Sequence, residues 1–464
     1  MINKNDISRR SALKYLGIGA IGTATIFSGI SCTKTDKDAI ENGKIIGVTK
    51  KKDKVSDAQI SLLGFGCMRF PLTDPDDRSS INEEQSSEMI DYAYKHGVNY
   101  FDTAWFYHNG KSEPFVGKAL KKYPRESVYI STKMPISPLN GADPLGLIKS
   151  EGALNRAKEI LDIQLKNLQT DYIDFYHLHS VNNLQQYQET FIDTKVLDYL
   201  LEQKEKGVIK RLGFSFHGPN EEFPKIVEQH NWDFCMIQVN YYDWEKDVSD
   251  AKFLYDVLDK KGIQAIFMEP IRGGMLADLT PAANKILQDA APDMSVASWA
   301  IRWCASLSNV MCVLSGMSLL EHVIDNVKTM TDFKPLTTDE QNIVAAALTE
   351  HKNVSYTNCT YCGYCIVPPC PVGLDISKIF AIYDECVKEG NIPNLSLKRT
   401  SDRGRHAEKL EKQSRAFLTK MNKLPKRKRA DRCIQCGVCT PKCPNGVNIP
   451  EKMLQISELI KAIS

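Results

Sequence analysis

At 464 residues the chain is longer than one average domain, and its 42% hydrophobic content is ample for a buried core. Lys and Arg number 59 against 57 Asp and Glu, which excludes a global field that would attract nucleic acid. Fourteen cysteines would suit a disulfide scaffold only in a small secreted protein. Eight of them fall instead into two short runs near the C-terminus, where neighbouring thiols favour a shared metal site.

The chain opens with paired arginines, Arg9 and Arg10, followed by an apolar run from Leu16 to Ile30. A charged start, a short apolar centre and small residues after it describe an export signal over residues 1–32. The run is short, and rich in Gly and Ala, for a membrane-spanning helix. It resembles the twin-arginine signal, with Ala12 where Phe is usual. Cys32 stands where a lipoprotein would be processed and lipidated, although Gly29 replaces the usual leucine. The expected location is therefore periplasmic or membrane-attached in a bacterium, with membrane contact only through the signal or a lipidated Cys32. Residues 33–54 are polar and lysine-rich and read as a linker.

From Ile60 to about Asn326, short β-branched or aromatic runs alternate with longer amphipathic ones. The predicted strands are ISLLGFGC, NYFDTA, VYISTK, YIDFYHLH, RLGFSF, CMIQVNYY, IQAIFMEP and VMCVLSG. Helices are predicted at Glu83–Gly97 and Leu154–Gln169, among others. Eight strands with helices between them predict an α/β fold, a closed (β/α)8 TIM barrel over residues 55–335; an open doubly wound sheet is the competitor. Polar residues favour the barrel, because Asp102, Lys133 and His179 end three successive strands and Tyr107 lies five residues past Asp102. A tyrosine hydroxyl, with a pKa near 10, is a poor acid or base at neutral pH. A nearby ammonium is expected to lower that pKa, a carboxylate to hold the ammonium, and a histidine to orient a carbonyl oxygen.

FDTAWFYHNG, STK and YIDFYHLH, with LGFGCMRFP, IQVNYY, EPIRGGML and SWAIRWC, resemble the aldo-keto reductases over roughly residues 55–330. The resemblance implies a catalytic tetrad of Asp102, Tyr107, Lys133 and His179 acting on a small-molecule carbonyl or alcohol substrate. It also implies nicotinamide contacts at Ser215 and Gln238, and a pyrophosphate held by the amides near Ser315 and Gly316. Two departures stand out. Phe216 follows Ser215 where the family has Asn, and the stretch Val313–Asn326 lacks the Lys and Arg of NADP-preferring members. The nucleotide therefore stays open between NAD, NADP and none. Trp105, Tyr241 and Trp244, with the loops 135–146 and 240–248, are read either as pocket lining or as packing.

In the tail, Cys433, Cys436, Cys439 and Cys443 have the C-x₂-C-x₂-C-x₃-C-P spacing of bacterial ferredoxins. Cys359, Cys362, Cys365 and Cys370 form a similar run with one extra residue before the last cysteine. In two-cluster ferredoxins the last cysteine of each run serves the other cluster. That rule predicts one [4Fe–4S] cluster on Cys359, Cys362, Cys365 and Cys443, and a second on Cys433, Cys436, Cys439 and Cys370. A pair of structural zinc sites is the alternative. Helical periodicity over Gly373–Gly390 makes residues 336–464 resemble a small α-helical ferredoxin-like domain, and the whole chain resembles the aldo-keto reductase branch that carries one. The basic stretch Lys398–Arg432 is either a solvated face or a docking surface for an acidic redox partner or lipid headgroups. The expected function is an exported oxidoreductase whose clusters exchange electrons with a redox partner protein. An electron-transfer or scaffold protein whose barrel binds a ligand without nicotinamide-dependent turnover is the alternative.

Overall fold

The computed structural model describes residues 40–41, 44–45, 47–245, 250–352, 356–366, 370–393, 395 and 403–463. Arg9, Arg10 and Cys32 lie outside the described residues.

The apolar runs form eight parallel strands: β1 (Leu63–Gly66), β2 (Tyr100–Asp102), β3 (Tyr129–Met134), β4 (Ile173–Val181), β5 (Ile209–Phe216), β6 (Phe234–Gln238), β7 (Gln264–Met268) and β8 (Val310–Ser315). β8 pairs with β1, which closes the sheet into a barrel and excludes the open-sheet reading. The strands are buried on both faces, which explains why they read as nearly continuous hydrophobic runs. Tyr100, Phe175, Phe234, Met236, Ile266, Met311 and Leu314 pack together as the barrel filling. Truncating a filling residue such as Phe234 to alanine would cost about 3–5 kcal/mol.

Crossover helices α1 (Glu83–Lys95), α2 (Ser112–Leu120), α3 (Ala153–Leu168) and α4 (Val196–Glu205) cover the outside. They are followed by α5 (Ala251–Lys261), α6 (Pro281–Ala290), α7 (Val296–Ala305) and α8 (Leu320–Met330). Their ends follow local chemistry. Asn82 caps α1 by accepting from the Gln85 amide, and Glu83 and Glu84 sit in the positive first turn. The predicted helix Leu154–Gln169 ends one residue early because Gln169 takes a left-handed conformation as its C-cap.

Two predicted boundaries move. Lys50–Lys52 pairs antiparallel with Gln59–Ser61 in a short hairpin, and Val48 bridges to Thr331. Asp53, 1% exposed, receives the Arg211 guanidinium at 2.5 Å. The end of the expected linker 33–54 is thus part of the barrel, which it joins at the face where the strands begin. At the other boundary, helix α9 (Thr338–Lys352) packs on the barrel rather than on the tail. Its Val344 and Ala347 join Ala283, Leu287 and Trp299 in one cluster. The barrel unit therefore runs past residue 335 to Lys352.

The tail builds a core of its own from α10 (Ile376–Lys388), α11 (Arg403–Met421) and α12 (Ile449–Ile463). Ile379, Phe380, Phe417, Met421, Met453 and Ile456 fill it beside the cysteines. Each such side chain, once fully buried, contributes about 1.5–3 kcal/mol. Among the described residues no helix is long and apolar enough to cross a membrane.

Candidate active site and cysteine centre

The register of the barrel aligns the predicted tetrad. Asp102 on β2 pairs with Ser131 on β3, and Lys133 pairs with His177 on β4. Lys133 and Asp102 are 1% and 3% exposed, and Nζ donates to Asp102 Oδ1 at 2.6 Å and to the Thr103 carbonyl at 2.7 Å. A charge pair this deep is retained only with such complete hydrogen bonding. Tyr107 begins the turn after β2, and Lys133 Nζ lies 4.9 Å from its ring centroid. The next two residues, His108 and Asn109, have φ of 52° and 51°. His108 holds this strained turn by accepting from the Phe70 amide and donating to the Arg78 carbonyl. The His179 ring lies 6.5 Å from that of Tyr107, edge-on, where the β4–β5 ladder slips between Leu178 and Val181. All four predicted residues therefore meet at the C-terminal mouth.

The electrostatics differ from expectation at one point. Burial pushes the Tyr107 hydroxyl well above the ordinary value of 10.0, and the Asp102 carboxylate adds to the rise. The expected lowering by an ammonium does not occur, because Lys133 is committed to Asp102 and Thr103 and faces the ring. Burial holds His179 well below 6.5, and the Lys133 charge adds to that effect. The site thus presents a protonated phenol beside a neutral imidazole, a proton donor with an orienting partner.

The structure adds Ser131 and His177 to the site. Ser131 Oγ donates to Asp102 Oδ2 at 2.7 Å and contacts His177 Nε2 at 2.8 Å. Both are fully buried below the tetrad. The period-two pattern of strands gave the signal, since Ser131 and His177 lie two residues before Lys133 and His179 and so face inward with them.

The predicted nucleotide residues are brought to the same mouth but are engaged by the protein itself. Ser215 Oγ accepts from the Ser180 amide at 2.8 Å, and Ser315 Oγ accepts from Asn326 at 2.9 Å. Gln238 Nε2 donates to Asn445 at 3.0 Å and to Asp243 at 3.3 Å. Phe216 packs against Phe223, ring centroids 4.8 Å apart. Trp105 and Tyr241 are buried, and Trp244 packs on Trp303 and Tyr255.

Cys359, Cys362, Cys365 and Cys443 line one small cavity, with Ile376 and Phe380 as apolar walls. Among the described residues no three His, Cys, Asp or Glu side chains converge on a single metal ion. Four thiols around an apolar space are instead what a cubane requires, so the residues fit that group. Burial raises the Cys439 thiol, and the nearby Cys433, Cys436 and Cys370 add to it. Cys443 of the second run thus stands with the first three cysteines of the first run.

The cysteine module is seated on the barrel mouth. Tyr242 donates to Asn358 at 2.7 Å, and buried Arg272 reaches the Asn358 carbonyl at 3.3 Å. Gly273, at φ +66°, lies so close to Thr360 that a Cβ would overlap its carbonyl oxygen. Lys388 of α10 pairs with Asp278 of the barrel. Behind the first run, Asp384 accepts from Thr357 and Tyr361.

The Aldo/keto reductase family matches residues 62–349, more than half of the chain. The chain belongs to that family. A 4Fe-4S dicluster domain matches residues 396–448, which include the second cysteine run. Among relatives, "Uncharacterized oxidoreductase YqkF" of Bacillus subtilis (strain 168) is 26% identical over 300 residues, 60% of this chain and 90% of that protein. "Probable aldo-keto reductase 1" of Glycine max is 31% identical over 195 residues, 41% of this chain and 51% of that protein; the chain thus spans half of this relative's length. In the holo form of aldo-keto reductase AKR11C1 from Bacillus halodurans the same fold recurs, with 27% identity and a TM-score of 0.52. That match covers 65% of this chain and 96% of the other. This aldo/keto reductase is therefore an oxidoreductase with a (β/α)8 barrel and a C-terminal 4Fe-4S domain.

Proposed function

We propose that this aldo/keto reductase interconverts a small carbonyl compound and its alcohol, with Tyr107 as proton donor and two [4Fe–4S] clusters serving electron transfer. The observation that carries the reading is the buried Lys133–Asp102 pair behind Tyr107, on the barrel face where the cysteine module sits. Tyr107 gives its proton to the substrate oxygen during reduction, His179 orients that oxygen, and Lys133 and Asp102 hold the phenol in place. Cys359, Cys362, Cys365 and Cys443 hold one cluster, and Cys433, Cys436, Cys439 and Cys370 hold the other. Bound there, the clusters would supply or accept single electrons, so each carbonyl reduced would draw two electrons in succession, with one proton from Tyr107 to the oxygen and a second from solvent to the carbon.

Electrons reach the clusters from a redox partner protein. What supports this is the surface around Cys436, itself exposed, where Ile434 and Val438 are 61% and 47% exposed and Lys426, Arg427 and Lys428 stand nearby in the chain. An acidic partner with an apolar contact patch suits that surface. The chain is exported by the twin-arginine route and works in the periplasm or on the membrane through Cys32. Arg9 and Arg10 support this route, and so does the need to carry assembled clusters across in a folded chain.

The deciding experiment assays anaerobically purified protein, with reduced methyl viologen as donor, against a panel of aldehydes, ketones and quinones. Carbonyl reduction that falls in Tyr107→Phe supports the reading; equal rates in both proteins would remove Tyr107 from the chemistry. For export, replacing Arg9 and Arg10 by lysine should leave the protein in the cytoplasmic fraction.

A further inference from the structure

Gln238 is the residue that family likeness assigns to a nicotinamide carboxamide, and the cysteine module has already taken it. Asn445, two residues past Cys443, accepts from Gln238 Nε2 at 3.0 Å and donates to Thr360 Oγ1 at 2.9 Å. One side chain thus ties the end of β6 to both cysteine runs. Beside it, Phe216 offers no polar atom where the carboxamide's second partner would stand. Pro444 walls off the cavity that remains next to Gln238 and His217.

The module closes the mouth from a second side. Tyr364, which directly precedes Cys365, lies edge-on to His217 with ring centroids 6.3 Å apart.

The pyrophosphate end is also filled. The stem of Arg69 lies on Gly316, where a Cβ would meet Arg69 Cδ at 3.0 Å. Glu269 stands 3.9 Å from that guanidinium, whose Nη2 is buried without a hydrogen-bond partner. At Gln238 and Phe216 the predicted residues therefore do not fit a bound nicotinamide.

We propose that the cysteine module takes the nicotinamide's place: Asn445 occupies the Gln238 amide and Tyr364 lies beside His217, so the barrel works without bound NAD(P)H and takes the two electrons of carbonyl reduction one at a time from the clusters, refilled by the redox partner, with one proton passing from Tyr107 to the oxygen and a second from solvent to the carbon. This rests on the reading of the tetrad as the active site. It makes the two domains one catalytic unit, joined through Gln238, Asn445 and Thr360.

The test is calorimetric titration of the anaerobic, cluster-loaded, full-length protein with NADH and then NADPH, followed in parallel by cluster absorbance. The expected result is no saturable binding up to millimolar nucleotide and no bleaching, while dithionite still bleaches the clusters. The same titration of Asn445→Ala and Tyr364→Ala, each checked for unchanged iron content, should gain affinity by at least about tenfold. Saturable one-to-one binding or bleaching in the wild-type protein would overturn the proposal. Silence in wild type and both variants would also overturn it, because the loss would then lie in the barrel and not in the module. The Tyr107→Phe comparison with a viologen donor is independent of nucleotide, so failure of the closure and failure of the catalytic reading are told apart.

Discussion

Ser131 stands between Asp102 and His177, its Oγ 2.7 Å from the carboxylate and 2.8 Å from Nε2. A serine hydroxyl has one proton. Given to Asp102, it leaves His177 to donate from Nε2, which fixes the neutral tautomer and leaves Nδ1 without a partner. Burial holds His177 well below 6.5, in agreement with that neutral state. The Lys133–Asp102 pair thus rests on a relay reaching into the barrel filling, where His177 sits edge-on to Phe234.

Ser131→Ala removes the middle of that relay and strands a buried N–H and a carboxylate oxygen. The expected loss of stability is about 1–3 kcal/mol, read as a lower urea midpoint at unchanged slope. A midpoint equal to wild type would show that water or a rearranged Asp102 replaces the hydroxyl at no cost.

Tyr107→Phe should reduce the rate of carbonyl reduction by about 10²–10⁴-fold, the usual contribution of a positioned acid. The direction of its pKa adds a pH signature. A donor must be protonated, and burial raises this phenol above 10.0, so the reduction rate should show no alkaline decline at or below that pH. Alcohol oxidation, which needs the phenolate, should be the slower direction near neutrality. A rate profile falling well below pH 10 would assign the proton to another group.

The barrel should be acid-labile. Burial lowers His217 and His351 from 6.5 to about 4, and holds His177 and His179 well below 6.5. A base whose folded value is depressed takes up more protons unfolded. Its contribution is therefore complete above 6.5 and lost as pH falls toward the folded value. For His217 and His351 this is on the order of 3 kcal/mol each. Urea midpoints measured from pH 7.5 to 4.5 should fall steadily below about 6.5; a flat series would mean these imidazoles are charged in the folded state.

Cys443→Ser tests the crossed assignment. It lies in the second run but lines the cavity of the first, with Cys359, Cys362 and Cys365. Iron content should fall by about half, and adding Cys362→Ser should remove little more. Adding Cys436→Ser should remove the rest. If the two outcomes are exchanged, so that adding Cys362→Ser removes the rest and adding Cys436→Ser removes little more, each run holds its own cluster.

Gly273→Ala places a methyl group against the Thr360 carbonyl at φ +66°. Strain of about 1–3 kcal/mol should lift the first cysteine run from the mouth. Faster proteolysis of the tail with the barrel intact would report it, and unchanged cleavage would show that the contact adjusts freely.

Much of this protein was legible because its chemistry is carried by short local patterns. Period-two apolar runs marked the eight strands, and the ends of those runs marked Asp102, Lys133 and His179. Spacing within each run marked the cysteines. What sequence could not supply depends on burial and on partners distant in the chain. Tyr107 was expected to be acidified by a nearby lysine; only the fold shows that Lys133 is spent on Asp102 and that desolvation raises the phenol. Residues 47–54 look like a linker because three lysines hide a strand whose pairing partner comes seven residues later. Gln238 matches a nucleotide residue by motif, yet its amide is taken by Asn445, 207 residues away. Local sequence determined which groups the protein owns. Tertiary structure decided which of them are free, because hydrogen-bonding capacity and desolvation belong to the packed site and not to the residue.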